Sequence, residues 1–296
     1  MYSEIAANKR KTIFLMLGFI LIVGLLATVV ALYYNNFFIT GFTLTFAVIY
    51  MIWSYFGSAS AALSMNNAVQ IEKQDSPELF RIVENLAITT GIPMPKVYII
   101  NDPALNAFAT GRDPNHSSVA ITTGLLEKLD KNELEGVMAH ELGHIQNYDI
   151  RLNIVAFGLV ALVSIISDII LRNLFWNNLF GDRDNNNNNN PILYLVLIVS
   201  LIIAPIVANI IKLAVSRKRE YLADATGALT TRYPEGLASA LNKIEQYGSQ
   251  MQKQNSSTAH LFFASPLKGE KLTNLFSTHP PIQDRIAKLR AMNEKA

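Results

Sequence analysis

The sequence predicts a mainly α-helical protein with a small β-sheet, threaded through a membrane several times. Three observations carry that expectation. Half of the 296 residues are apolar and only 16% are charged, whereas soluble domains carry roughly a quarter charged residues. Four apolar stretches interrupt the chain, at 13–33, 37–56, 154–171 and 192–215, and roughly 20 such residues cross a bilayer as a helix. The polar segments between them mix helix-period and strand-period patterns.

Composition also narrows the partners. A net charge of +2, with no basic stripe interleaved with aromatics, gives no reason to expect nucleic acid. The lipid bilayer is the expected partner instead. The chain has no cysteine, which excludes disulfides, thiolate chemistry and Cys-ligated metal. Any metal must be held by the 5 histidines and by carboxylates.

The first two apolar stretches read as a hairpin turned by Tyr34, Asn35 and Asn36. The second is softer, with Thr40, Thr43 and Thr45, and ends in the interfacial cluster Trp53-Ser54-Tyr55. A second span following at once, after a long apolar core, argues against a signal peptide. The third stretch carries Asp168, read as a snorkelling partner of Arg172 near the membrane boundary. Lys9, Arg10 and Lys11 precede the first stretch and Arg217, Lys218 and Arg219 follow the fourth, while the Tyr34 hairpin has no positive charge. That bias puts both termini and the segment after the first hairpin in the cytoplasm. The expected division is a transmembrane hairpin at 1–56, a cytoplasmic segment at 57–152, a second hairpin with an Asn-rich external loop at 153–215, and a cytoplasmic segment at 216–296.

Within the polar segments, Ser76 caps and Pro77 opens a helix with the apolar stripe Leu79, Ile82, Val83 and Leu86, which Gly91 and Pro93 end. Residues 96–100, 107–110 and 118–122 read as strands, the last two joined by a turn at 111–115. Asp130 and Glu133 fit a capping box that opens the next helix. Further on come a helix from Arg217 to near Leu229, a helix opened by Pro234-Glu235, a polar loop at 249–259 and a last helix running through Arg290.

The capped helix carries His140-Glu141-Leu142-Gly143-His144. One turn apart, His140 and His144 share a face and can grip one Zn²⁺. Glu141 lies beside that metal but off the ligand axis, where it can take a proton from a zinc-bound water. Such a box alone is only suggestive. Glu220 and Asp224 sharpen it, because like charges one turn apart cost a helix roughly a few tenths of a kcal/mol that a nearby divalent cation removes. Glu220 is then the third ligand, and Asp224 accepts the N–H of a ligand imidazole, that of His140. Three protein ligands leave a fourth position for water, as in catalytic rather than structural zinc.

The expected chemistry is peptide hydrolysis at one zinc per chain, without a covalent intermediate. The developing oxyanion needs a donor. His279, in a loop stiffened by Pro280 and Pro281, leads; Arg285 and Tyr221 are alternatives. Asp149 reads as a helix-end or supporting residue rather than a ligand, because five residues along a continuous helix point away from His144. His116 and His260 lie in polar loops and receive no role. If His144 and Glu220 hold one metal, the chain between them crosses the membrane twice or not at all, which agrees with the charge bias.

Several motifs in one order resemble the HtpX family, bacterial membrane-bound zinc metalloproteases related to the CaaX prenyl protease. They are the N-terminal hydrophobic hairpin, Asn106-Ala107-Phe108-Ala109-Thr110-Gly111, Thr123-Gly124-Leu125-Leu126, the box ending at His144, the run from Ser216 to Asp224, and Thr278-His279-Pro280-Pro281 with Arg285-Ile286. The resemblance covers nearly the whole chain. It implies a multi-pass protein of the bacterial cell membrane with a zincin-like (gluzincin) protease domain facing the cytoplasm. It implies His140, His144 and Glu220 as zinc ligands, Glu141 as the catalytic residue, and stress-linked quality control of misfolded or damaged membrane proteins. It further implies that Asn106, Ala107, Phe108 and Ala109 form an edge strand that pairs with the substrate backbone. Two other readings stay open at this point: a membrane chaperone or scaffold for unfolded segments, and a CaaX-type processing protease.

Overall fold

The computed structural model describes residues 2–33, 35–162, 216–248, 250–252, 258–264 and 280–293. Asp168, the 185–190 asparagine tract, the whole of the fourth apolar stretch and His279 lie outside the described residues.

Two long helices come first, α1 (Tyr2–Tyr33) and α2 (Phe38–Met65). Asn35, with φ of 49°, and Asn36, whose Oδ1 accepts from Phe38 N at 3.0 Å, turn the chain between them. Asparagine suits such a turn because it tolerates the left-handed conformation. Both helices are long and apolar enough to cross a membrane, with mean hydropathy of 2.2 over Glu4–Thr28 and 1.5 over Phe38–Met65. Phe14, Leu21, Phe38, Phe42 and Phe46 are exposed on their outer faces, a run of large apolar side chains of the kind that marks an interaction surface. Each helix outruns its apolar stretch: α1 starts at Tyr2 and α2 continues past Phe56 to Met65.

A four-stranded sheet follows, made of β1 (Ala68–Gln70), β2 (Lys96–Ile100), β3 (Ala107–Asp113) and β4 (His116–Thr122) in the order β1-β2-β4-β3. β4 is central, parallel to β2 and antiparallel to β3, and its residues 117–122 are buried. The β3–β4 hairpin is tighter than the expected 111–115 turn, since both strands extend to leave only Pro114-Asn115. Gly111, at φ of 141°, sits at the bulge in that hairpin, a conformation that a side chain would strain. β3 is the sheet's edge, and it lies against the helix that carries the histidines.

Helix α3 (Pro77–Thr90) buries Leu79, Ile82, Val83 and Leu86 as its stripe predicts, and Gly91 closes it in the left-handed conformation at φ of 68°. Each such burial contributes roughly 1.5–3 kcal/mol relative to exposure. A short α4 (Thr123–Lys128) leads to α5 (Lys131–Gln146). A helix at 149–162, α6, begins the third apolar stretch and packs on α2, where the Tyr50 hydroxyl donates to Gly158 O at 2.6 Å. Then come α7 (Arg217–Thr231), α8 (Pro234–Tyr247) and α9 (Ile282–Asn293). One apolar core joins α3, α5, α8 and α9 to the inner face of the sheet, through residues such as Val83, Val119, Val137, Leu142, Leu241 and Leu289.

Candidate metal centre

The site is built on the start of α5. Asp130 Oδ1 accepts from Asn132 N at 2.9 Å and Glu133 N at 3.0 Å, and Glu133 Oε2 accepts in return from Asp130 N at 2.8 Å. This capping box fixes where the helix begins, and so which way its face turns. α7 crosses α5 at close range: a Cβ on Gly227 would sit 3.0 Å from the backbone nitrogen of His140. Glycine eases this close approach, since a side chain here would push the two helices apart by a few tenths of an ångström, and that approach brings Glu220 to the histidines.

His140 Nε2 and His144 Nε2 lie 3.1 Å apart. Glu220 Oε1 is 3.5 Å from His144 Nε2, and Glu220 Oε2 is 4.0 Å from His140 Nε2. One ligand atom from each residue falls within 4.8 Å of the others. The donor set suits a metal. Tetrahedral zinc with Zn–N bonds of about 2.0–2.1 Å separates its ligand atoms by about 3.3 Å, close to what these three side chains provide. The three side chains thus form a group that can hold one metal ion.

Behind the ligands stand two carboxylates. His140 Nδ1 lies 3.0 Å from Asp224 Oδ1, and His144 Nδ1 lies 2.9 Å from Asp149 Oδ2. With each Nδ1–H donated to a carboxylate, both Nε2 lone pairs face the shared centre. Arg285 completes the first pair: its Nη2 and Nε donate to Asp224 Oδ1 and Oδ2 at 2.7 and 2.9 Å. The guanidinium is buried, stacked 4.7 Å over the Phe263 ring.

These surroundings set the charges. Burial, helped by the positive charges of His144 and Arg285, outweighs the Asp224 carboxylate and lowers the His140 pKa to about 4. Burial alone would raise Asp224, but the Arg285 charge and the hydrogen bonds from His140 and Arg285 hold it down at about 2. Burial also works against a charged His144, yet the hydrogen bond to Asp149 and the charges of Glu220, Asp149 and Glu141 lift it to about 9.

A small cleft opens on the centre, lined by Glu141 and the three candidate ligands together with Ala109, His260, Leu261 and Phe262. Of the four residues expected to meet substrate, Ala109 alone lines this cleft. Asn106 is occupied by the segment at 258–264, since its Nδ2 donates to Ala264 O at 2.8 Å and its Oδ1 accepts from Ala264 N at 3.0 Å. Ala107 O accepts from Phe263 N at 2.8 Å, and Phe108 packs edge-on against Phe262 with ring centroids 5.0 Å apart. Of the residues considered for the oxyanion, Arg285 is committed to Asp224, and the Tyr221 ring carries Lys288 Nζ 3.2 Å from its centroid.

Asp149 takes the supporting place read for it, and two further contacts, those of Arg285 and His260, have no counterpart in the sequence reading. Asp149 bonds His144 directly, because α5 stops at Gln146 and Tyr148, at φ of 61°, turns the chain back. Along an unbroken helix Asp149 would point away from His144. Arg285 is the cation behind His140, from a helix far along the chain. His260, left without a role, is buried at the cleft, 3.3 Å through Nε2 from Asn153 O.

Comparison with known proteins agrees with this geometry. Residues 73–293 match Peptidase family M48. A "Protease HtpX homolog" of Tropheryma whipplei (strain Twist) is 51% identical over 296 residues, covering 100% of this chain and 99% of that protein. One from Listeria monocytogenes serovar 1/2a is 45% identical, covering 99% of this chain and all (100%) of its own. The crystal structure of S. mikatae Ste24p aligns with a TM-score of 0.52 at 20% identity, over 98% of this chain and 67% of that one, a likeness of fold. The chain belongs to peptidase family M48, within its group of HtpX-type proteases.

Proposed function

We propose that this chain is a membrane-integrated zinc endopeptidase, with His140, His144 and Glu220 holding one Zn²⁺ and Glu141 as its catalytic base. The carrying observation is the convergence of the three ligand side chains within 4.8 Å beside Glu141, at the floor of a cleft. When bound, zinc supplies Lewis acidity, polarising a peptide carbonyl and acidifying a water. Glu141 takes the proton from the attacking water and delivers it to the leaving amine. Asp224 and Asp149 hold the two imidazoles in the tautomer whose Nε2 faces the metal.

Substrate meets the enzyme along the edge of β3. Backbone groups alternate along a strand, so Ala109, like Ala107, turns its peptide groups away from β4. Ala107 is taken by Phe263, which leaves Ala109 at the cleft to pair with an extended peptide. His279 donates to the oxyanion; its neighbour Pro280 is buried at the start of the helix that carries Arg285 to the centre. The Lys/Arg bias supports an active site that faces the cytoplasm. Kinship with bacterial HtpX-type proteases supports a place in the plasma membrane, with misfolded or damaged membrane proteins as substrates under stress.

The test uses full-length protein purified in detergent. It should carry about one zinc per chain and cleave an unfolded membrane protein. Glu141→Gln should retain the zinc and lose cleavage. Cleavage that persists unchanged in Glu141→Gln contradicts the assignment, and a zinc-free protein that only binds unfolded chains indicates a chaperone.

A further inference from the structure

Asn8 precedes the apolar part of α1, in a stretch that composition marks only as a positively charged lead-in. Its side chain is nevertheless buried at the back of the metal centre. The amide nitrogen donates to Asn147 O at 3.0 Å and to Asp149 Oδ1 at 2.7 Å. The other oxygen of that carboxylate meets His144 Nδ1 at 2.9 Å. An unbroken chain of contacts therefore runs from α1 through Asp149 to a metal-binding imidazole.

The turn that Asn8 grips is strained. Tyr148 sits at φ of 61°, a left-handed conformation uncommon for residues other than glycine and asparagine. Such outliers persist where the surroundings over-determine them, and they gather at functional sites. Asn8 bonds the residues on both sides of Tyr148, and Lys9 Nζ lies 4.2 Å over the Tyr148 ring. Glu4 Oε1 and Lys218 Nζ, 2.6 Å apart, tie the same end of α1 to α7, which carries Glu220.

We propose that the N-terminal end of α1 is a working part of the metal centre, with Asn8 as the positioning residue that holds Asp149 against His144. The proposal deepens the zinc reading above and rests on it. Without Asn8, the Oδ1 oxygen of Asp149 keeps Arg219 Nε at 3.6 Å among the described residues, too far for a hydrogen bond. The strained turn loses its clamp, Asp149 drifts, and His144 loses the partner that aims its Nε2 at the metal. A helix anchored in lipid is thereby linked to a metal ligand, and a shift of α1 in the bilayer reaches the centre through two side chains.

The experiment measures Zn²⁺ affinity of the full-length protein in micelles by chelator competition, with the visible bands of Co²⁺-loaded protein as a second readout. Loss of a partner bonded directly to a ligand costs roughly 10–100-fold in affinity, and Asn8→Ala, one step further out, is expected to cost about 3–10-fold. It should also shift the Co²⁺ bands, which a loss of fold stability alone leaves in place. The loss should vanish in an Asp149→Ala background, because the two residues act as one chain. Asn8→Ser, which keeps a short hydroxyl donor, should fall between wild type and Asn8→Ala, and it stands in if Asn8→Ala does not accumulate. Wild-type affinity and bands in the Asn8 variants, or losses that add to those of Asp149→Ala, overturn the proposal. A wild-type protein that binds no Zn²⁺ overturns the underlying zinc reading instead.

Discussion

His140 and His144 stand one helical turn apart, each with Nδ1 on a buried carboxylate, yet their surroundings drive them in opposite directions. His140 falls to about 4 and His144 rises to about 9. The carboxylates are alike, and what lies behind them is not. Asp224 is gripped at both oxygens by the Arg285 guanidinium, at 2.7 and 2.9 Å, so its charge is largely spent before it reaches His140. Asp149 has the neutral Asn8 amide at 2.7 Å and Arg219 Nε at 3.6 Å, so its charge acts on His144 more fully, joined by Glu220 and Glu141. The charge state of a buried imidazole follows from its burial, the charges around it and the partners of its partner together.

Arg285→Leu should break the contrast most severely. It strands a buried carboxylate beside His140, and breaking a buried pair in this way costs about 3–5 kcal/mol, readable from chemical unfolding of the metal-free protein. His140 should then take up a proton more readily, since one of the charges that lowers it is gone. On the other side, Asp149→Asn keeps the shape and removes the charge. Zinc affinity should fall roughly 10–100-fold with a smaller effect on unfolding, which chelator competition and unfolding together resolve.

The contrast also fixes a proton count. At pH 7 His140 is already neutral, while His144 is protonated until a metal displaces its proton. Protons compete with metal for that nitrogen, so affinity should climb about tenfold per pH unit between about 4 and about 9 and level off above. Calorimetry in buffers of different ionisation enthalpy should find about one proton released per Zn²⁺ at pH 7. Release of two, or of none, breaks the asymmetry. The smallest effect belongs to Asp130→Ala, which removes the cap that serves both histidines equally. It should cost about 1 kcal/mol of stability and leave the proton count unchanged.

The centre was legible in the sequence where its chemistry follows helix periodicity. His140 with His144, and Glu220 with Asp224, are each one turn apart, so spacing alone puts each pair on a common face. The cap at Asp130 was legible for the same reason, since a capping box is a local pattern. Local periodicity says nothing of a three-residue strand such as β1, too short to show a period, or of the break after Gln146, made by a tyrosine rather than a glycine. That break is what turns Asp149 toward His144. Arg285 and Asn8 reach the centre across 61 and 141 residues of sequence, and although the sequence singled out Arg285, nothing in its helix told that it pairs with Asp224. Their roles come from packing, which no window along the chain contains. The expected substrate strand divided for the same reason: Asn106 and Ala107 were read without the segment at 258–264 that binds them.

The central claim is that two imidazoles and one carboxylate, from helices far apart in sequence, hold a single zinc. X-ray absorption at the zinc edge of the full-length protein tests it most directly. The expected spectrum has two imidazole nitrogens and oxygen ligands at about 2.0–2.2 Å, with one oxygen contribution lost in Glu220→Ala. A spectrum that Glu220→Ala leaves unchanged, or one that contains a single imidazole, contradicts the account.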